Sequence, residues 1–169
     1  TADNVVFVGN DHAISAPGLG EYGISIQNAE DVSVENTALT GCSVGINVMD
    51  SSNLVIESND ARGNNWGYEF VRMTDSQVNG NYASGSQHGF YITESTDNIF
   101  TSNVAENNGE RGFYVGNSAR NTLRSNRAMN NGEVGYAVWF ESDGNVLDSN
   151  TGSGNGVGIW LSESGGHAP

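Results

Sequence analysis

One feature limits what this chain can fold into more than any other: a short pattern that returns at a constant interval. A glycine followed by an apolar residue, any residue and a second apolar residue occurs as Gly23-Ile-Ser-Ile26, Gly45-Ile-Asn-Val48, Gly67-Tyr-Glu-Phe70, Gly89-Phe-Tyr-Ile92, Gly112-Phe-Tyr-Val115, Gly135-Tyr-Ala-Val138 and Gly158-Ile-Trp-Leu161. The spacings are 22, 22, 22, 23, 23 and 23. Self-similarity at such a period marks a solenoid, in which each repeat is one supersecondary unit and buries its apolar face only against its neighbours.

A second strand follows each anchor and ends in asparagine: Asn10, Asn36, Asn59, Asn81, Asn103, Asn126 and Asn150. Two residues further on stands a small residue, Ala38, Ala61, Ala83, Ala105, Ala128 and Gly152. Another small position lies three residues beyond the anchor strand, as Ala29, Ser51, Ser95, Ser118, Ser142 and Ser164, with Met73 as the exception. The strands are short and alternate apolar with polar, so one face is buried. Gly, Asn, Asp and Ser fill the gaps, where turns and positive φ are needed, and no segment holds helical periodicity for ten residues. Equivalent strands of successive coils, stacked at about 4.8 Å, bury what a single coil cannot. The expectation is an all-β, single-stranded parallel β-helix of about seven coils of 22–23 residues, roughly 34 Å long, with an asparagine ladder satisfying buried turn backbone. Residues 1–169 form one domain, read as a mature form or a piece of a longer β-helix or assembly.

The runs Gly89-Phe-Tyr-Ile-Thr-Glu-Ser-Thr-Asp-Asn-Ile-Phe-Thr-Ser-Asn103 and Gly112-Phe-Tyr-Val-Gly-Asn-Ser-Ala-Arg-Asn-Thr-Leu-Arg-Ser-Asn126 resemble the repeat of NosD-like proteins, within the wider group of carbohydrate-binding and sugar-hydrolase β-helices. The resemblance covers nearly the whole chain. It implies a right-handed parallel β-helix, but the group spans epimerases, lyases, adhesins and a maturation accessory protein, so fold alone does not select an activity. Alginate epimerases and lyases of similar fold carry an Asp-Pro-His motif. This chain has no Asp-Pro pair, and its prolines, Pro17 and Pro169, are remote from every candidate site, which counts against epimerase activity.

Twenty acidic residues face six basic ones, all Arg, for a net charge of −14. That balance excludes nucleic acid as a partner, because phosphate binding needs clustered cations, and it disfavours anionic membrane surfaces. No apolar run is long enough to insert into a membrane, and no signal peptide is expected among these residues. An acidic surface without lysine suits a high-salt setting as well as simple solubility. Cys42 is the single cysteine, so neither an intrachain disulfide nor a Cys-based metal site is expected. No Asn-X-Ser/Thr sequon occurs.

Two motif matches are decoys. Gly18-Leu-Gly-Glu-Tyr-Gly23 fits a dinucleotide fingerprint but precedes a strand instead of opening a helix. Gly41-Cys-Ser-Val-Gly45 fits a nucleophile elbow, yet it sits in an inter-coil turn with no helix after it. The outer columns of the anchor strand are more informative. Its middle position runs Ser25, Asn47, Glu69, Tyr91, Tyr114, Ala137, Trp160; two places on, it runs Gln27, Met49, Val71, Thr93, Gly116, Trp139, Ser162. Strand alternation points both columns to solvent. Tyr91, Tyr114, Trp139 and Trp160 are therefore expected as an exposed aromatic strip suited to stacking on sugar rings or to a protein interface. Glu69, His88 and Arg111 lie beside it on adjacent coils. With Tyr91 they are the catalytic candidates, Arg111 for a uronate carboxylate and His88 or Tyr91 for moving a proton.

No metal site is expected: His12, His88 and His167 fall in different coils, and no calcium-loop pattern occurs. The acidic edge of Asp50, Glu94, Glu141 and Glu163 leaves room for loosely held Ca²⁺ at most. The leading expectation is an extracellular or cell-surface module that binds polysaccharide along the strip and needs no cofactor. The alternatives are a structural or adhesive module contacting other chains, head to tail with its own copies included, and a polysaccharide lyase or hydrolase acting in the same groove.

Overall fold

The computed structural model describes residues 3–10, 12–15 and 22–162. Gly18 to Glu21 of the first decoy, and Glu163, Ser164 and His167, lie outside them. Among the described residues there is no helix; the chain passes seven times through each of three parallel sheets. The first sheet is made of Val6–Val8, Ser33–Glu35, Val55–Glu57, Gln77–Asn79, Ile99–Thr101, Thr122–Arg124 and Val146–Asp148. The third holds the glycine-anchored strands Tyr22–Gln27, Val44–Ser52, Trp66–Thr74, His88–Thr93, Arg111–Gly116, Val134–Trp139 and Val157–Ser162. Between them, Ala13–Ser15, Ala38–Thr40, Asp60–Arg62, Tyr82–Ser84, Val104–Glu106, Arg127–Met129 and Thr151–Ser153 form a second sheet, which the sequence had shown only as a column of small residues.

Those small residues have a steric cause. The third sheet bends inward at its anchor glycines, toward the alanines of the second: a Cβ at Gly89 would lie 2.8 Å from the Ala105 Cβ and 2.6 Å from the Gly112 carbonyl oxygen. From Ala61 to Ala128 neither side has room for more bulk; in the second coil the expected column is corrected, since Leu39, not Ala38, takes the inward position, in register with Ile14 of the first. The bend also turns the residue before each glycine outward, onto the same surface as the middle column. The core is then filled from the first and third sheets. Tyr68, Phe90, Phe113 and Tyr136 stack ring on ring, 4.6, 4.7 and 5.0 Å between successive centroids, opposite Ile56, Val78, Phe100 and Leu123, all fully buried.

Corners are closed by side-chain ladders. Asn59, Asn81, Asn103, Asn126 and Asn150 form the expected one, each Nδ2 donating to the next Oδ1 at 3.0–3.1 Å. In the second coil the structure corrects the expected column. Thr37, not Asn36, takes the ladder position, its backbone N–H donating to Asn59 Oδ1, while Asn36 sits one residue earlier at φ 50°. Two more asparagine ladders run parallel to it, Asn98–Asn121–Asn145 and Asn108–Asn131–Asn155. The small position after the long strand is a fourth, in which the Oγ of Ser51, Ser95, Ser118 and Ser142 accepts from a backbone N–H one coil earlier. Buried polar backbone at each corner thereby finds a partner. The turns also contain columns at positive φ, such as Asp31, Asn53, Asp75 and Asp97, which accounts for the weight of Asn, Asp, Ser and Gly in the repeat.

Candidate functional site

The outer surface of the third sheet carries the candidate residues. Parallel in-register pairing puts Asn47, Glu69, Tyr91, Tyr114, Ala137 and Trp160 in one row, as the repeat implied. Trp66, His88 and Arg111 join this surface from the column before the glycines. Ring contacts run without a break from Trp66 to Tyr91 (4.6 Å), Tyr91 to Tyr114 (4.6 Å), Tyr114 to Trp139 (5.8 Å) and Trp139 to Trp160 (5.0 Å). Trp66 was the member that sequence reasoning left out of the strip, because strict alternation does not bring the pre-glycine column to this face.

The strip is less exposed than alternation alone predicts. Tyr114 is only 7% exposed. Tyr91 stacks on it at 14°, and the Tyr114 ring leans across Gly116, where a Cβ would meet the Tyr114 phenolic oxygen at 2.5 Å. The Arg111 guanidinium lies over the rings of both Tyr114 and Trp139, 5.3 and 4.8 Å from their centroids. Tyr91 and Trp139 are half-buried; Trp160, at 45%, is the open one. Tyr91 and Tyr114 therefore offer little ring surface to solvent, and the most open ring of the strip is Trp160.

Polar groups flank the rings. Asn47 Nδ2 donates to Glu69 Oε2 at 2.8 Å. Burial raises the Glu69 carboxyl above the usual carboxylate range, and the Asn47 bond opposes this. His88 is 6% exposed, between Trp66 and Tyr91 at 5.4 and 5.6 Å. Its Nε2 lies 3.5 Å from Glu110 Oε2, and Gln87 donates to the other oxygen of that carboxylate. Desolvation holds the imidazole below its ordinary value, against the pull of Glu110. Arg111 Nη2 lies 3.8 Å from Glu133 Oε2. Four buried side-chain polar atoms among the described residues have no hydrogen-bond partner: Ser86 Oγ, His88 Nδ1, Arg111 Nε and Trp139 Nε1, the last three all on this surface. A depression of about 230 Å³ lined by Tyr22, Ser43, Val44, Asn65, Trp66 and Glu69 extends the surface toward the first coils.

The catalytic candidates Glu69, His88, Tyr91 and Arg111 thus occupy successive coils of one surface. No group of three or more potential metal ligands occurs among the described residues. Asp50 and Glu94, expected on an acidic edge, flank Arg72, whose guanidinium pairs with both. No helix of the described residues is long and apolar enough to cross a membrane.

Comparison with known proteins bears on the fold. The family model described as "Right handed beta helix region" matches residues 2–168. A search of curated proteins finds no match. Among solved structures, the periplasmic alginate epimerase AlgG is similar at 18% identity and a TM-score of 0.55, over 85% of this chain and 48% of that one. Its T265N mutant gives 19% and 0.56 over the same shares. The chain spans about half the length of the structures it matches, and at this identity the likeness is one of fold.

Proposed function

The chain belongs to the right-handed β-helix family, and on that premise we propose that the outer surface of its third sheet binds polysaccharide, laid lengthwise from Trp66 to Trp160. The observation that carries this reading is the concentration of three buried, unpartnered polar atoms, His88 Nδ1, Arg111 Nε and Trp139 Nε1, along one unbroken row of aromatic rings. Buried polar atoms are normally paired. A sugar hydroxyl both donates and accepts, and a pyranose ring has an apolar face that suits an indole such as Trp160. The row crosses five coils, roughly 19 Å at the strand spacing, which is a length for a chain of sugars and not for one. Support also comes from the fold shared with an alginate epimerase. That enzyme is periplasmic by name, and this reading likewise places the chain outside the cytoplasm, at the cell surface or beyond it.

A tryptophan-fluorescence titration against neutral and uronic polysaccharides checks the proposal. Saturable quenching is expected from the wild type, with at least about tenfold weaker binding in Trp160→Ala, the size of loss typical of an aromatic anchor. A wild type that responds to no glycan refutes it. Steady-state turnover separates binder from enzyme. Bond cleavage that disappears in His88→Ala with the fold intact would make His88 a catalytic residue, and binding without turnover makes the surface a recognition module.

A further inference from the structure

We propose that the saccharide held by this surface is uncharged, and that Glu110 and Glu133 screen out uronates; the inference rests on the polysaccharide reading above and names its ligand class. Arg111 is the cation on which recognition of a carboxylate would depend. Its guanidinium is mostly buried, lying over the Tyr114 and Trp139 rings with Nη2 turned toward Glu133 at 3.8 Å. His88 is buried and already faces Glu110 at 3.5 Å, and its burial disfavours the charged form. The other arginines with carboxylate partners, Arg62, Arg72, Arg120 and Arg124, are held in pairs elsewhere, with Asp60, Asp50, Asp97 and Asp148. Against one mostly buried guanidinium the surface sets Glu69, Glu110 and Glu133, on a chain of net charge −14.

The chemistry of the rim points the same way. Carboxylates only accept hydrogen bonds. A ligand lying against three of them must bring donors, which hydroxyls supply and a uronate carboxylate does not. A uronate would also have to displace Glu133 from Arg111 and sit near Glu110, where like charges repel. The selection is electrostatic, so it weakens as salt shortens the Debye length.

The test uses matched hexasaccharides, neutral and uronate, built from glucose, mannose and galactose, titrated by fluorescence into the wild type and Glu133→Gln at low and high salt. In every pair that binds, the neutral member is expected to bind about tenfold more tightly at low salt. High salt and Glu133→Gln should each narrow that gap. A uronate that binds as tightly as its neutral partner, or more tightly, overturns the inference and leaves the polysaccharide reading standing. A gap unmoved by both salt and Glu133→Gln overturns the role given to the carboxylates. If no hexasaccharide of either kind binds, the polysaccharide reading itself falls, and this inference with it.

Discussion

Asn103→Leu is expected to destabilise the protein by about 3–5 kcal/mol, lowering its melting temperature by roughly 10 °C. Asn103 is fully buried. Its Oδ1 accepts from the backbone N–H of Asn81 at 2.9 Å and from Asn81 Nδ2 at 3.1 Å, while its Nδ2 donates to the Val78 carbonyl at 2.7 Å and to Asn126 Oδ1 at 3.0 Å. Leucine nearly matches the volume and removes all four bonds. The side-chain partners have others: Asn81 Nδ2 keeps the Ile56 carbonyl and Asn126 Oδ1 keeps the Asn103 backbone N–H. The Asn81 N–H is left without a partner in a dry corner, an orphan that costs about 1–3 kcal/mol, and each of the other three lost bonds adds about 0.5–1.5 kcal/mol. Thermal unfolding followed by circular dichroism reads the effect. A melting temperature unchanged from wild type would show that the ladder is decoration and that the turns are satisfied in some other way.

A different kind of failure is expected of Gly112→Ala. A Cβ there would lie 2.7 Å from the Gly135 carbonyl oxygen, 2.8 Å from Asn131 Nδ2 and 2.9 Å from the Ala128 Cβ. All three belong to rigid parts of the second sheet, its corner ladder and the next coil, so the methyl must push the sheets apart or twist the strand. The cost is about 2–3 kcal/mol, in the range of core overpacking. Gly109 supplies the contrast within the same coil. It is exposed, and a Cβ on it would meet nothing closer than 3.7 Å. Gly109→Ala should change stability by no more than about 0.5 kcal/mol. Equal losses in the two variants, measured by chemical denaturation, would refute the steric reading of the anchor column.

These two predictions also mark where reading the sequence succeeded and where it stopped. The period was plain, because a 22–23-residue interval held over seven anchors has one cheap explanation, in-register stacking. The Asn103 ladder followed from it, since identical residues at one repeat position must meet. The same logic was available for Asn98, Asn121 and Asn145 and for Asn108, Asn131 and Asn155. The first column starts only after Leu54 and Ser76, and the second is interrupted by Ser86 between Asn64 and Asn108, so the repetition is broken where one looks for it. The second sheet was hidden for a related reason. Its strands are three residues long with one inward side chain, mostly Ala, too little alternation to register as a strand.

The candidate surface divides in the same way. That Glu69, Tyr91, Tyr114 and Trp160 share one row, with Trp139 in the next, was already legible in the repeat, because parallel register carries equivalent positions from coil to coil. Packing in three dimensions added that Trp66 joins this surface, that Tyr114 lies flat over Gly116 beneath Arg111, and that Trp160 is the most open ring. The physical reason is that alternation along a strand fixes only the side from which a residue leaves the backbone. Exposure is set afterwards, by a glycine bend that resets the alternation and by how far each side chain leans over neighbours more than twenty residues away in sequence.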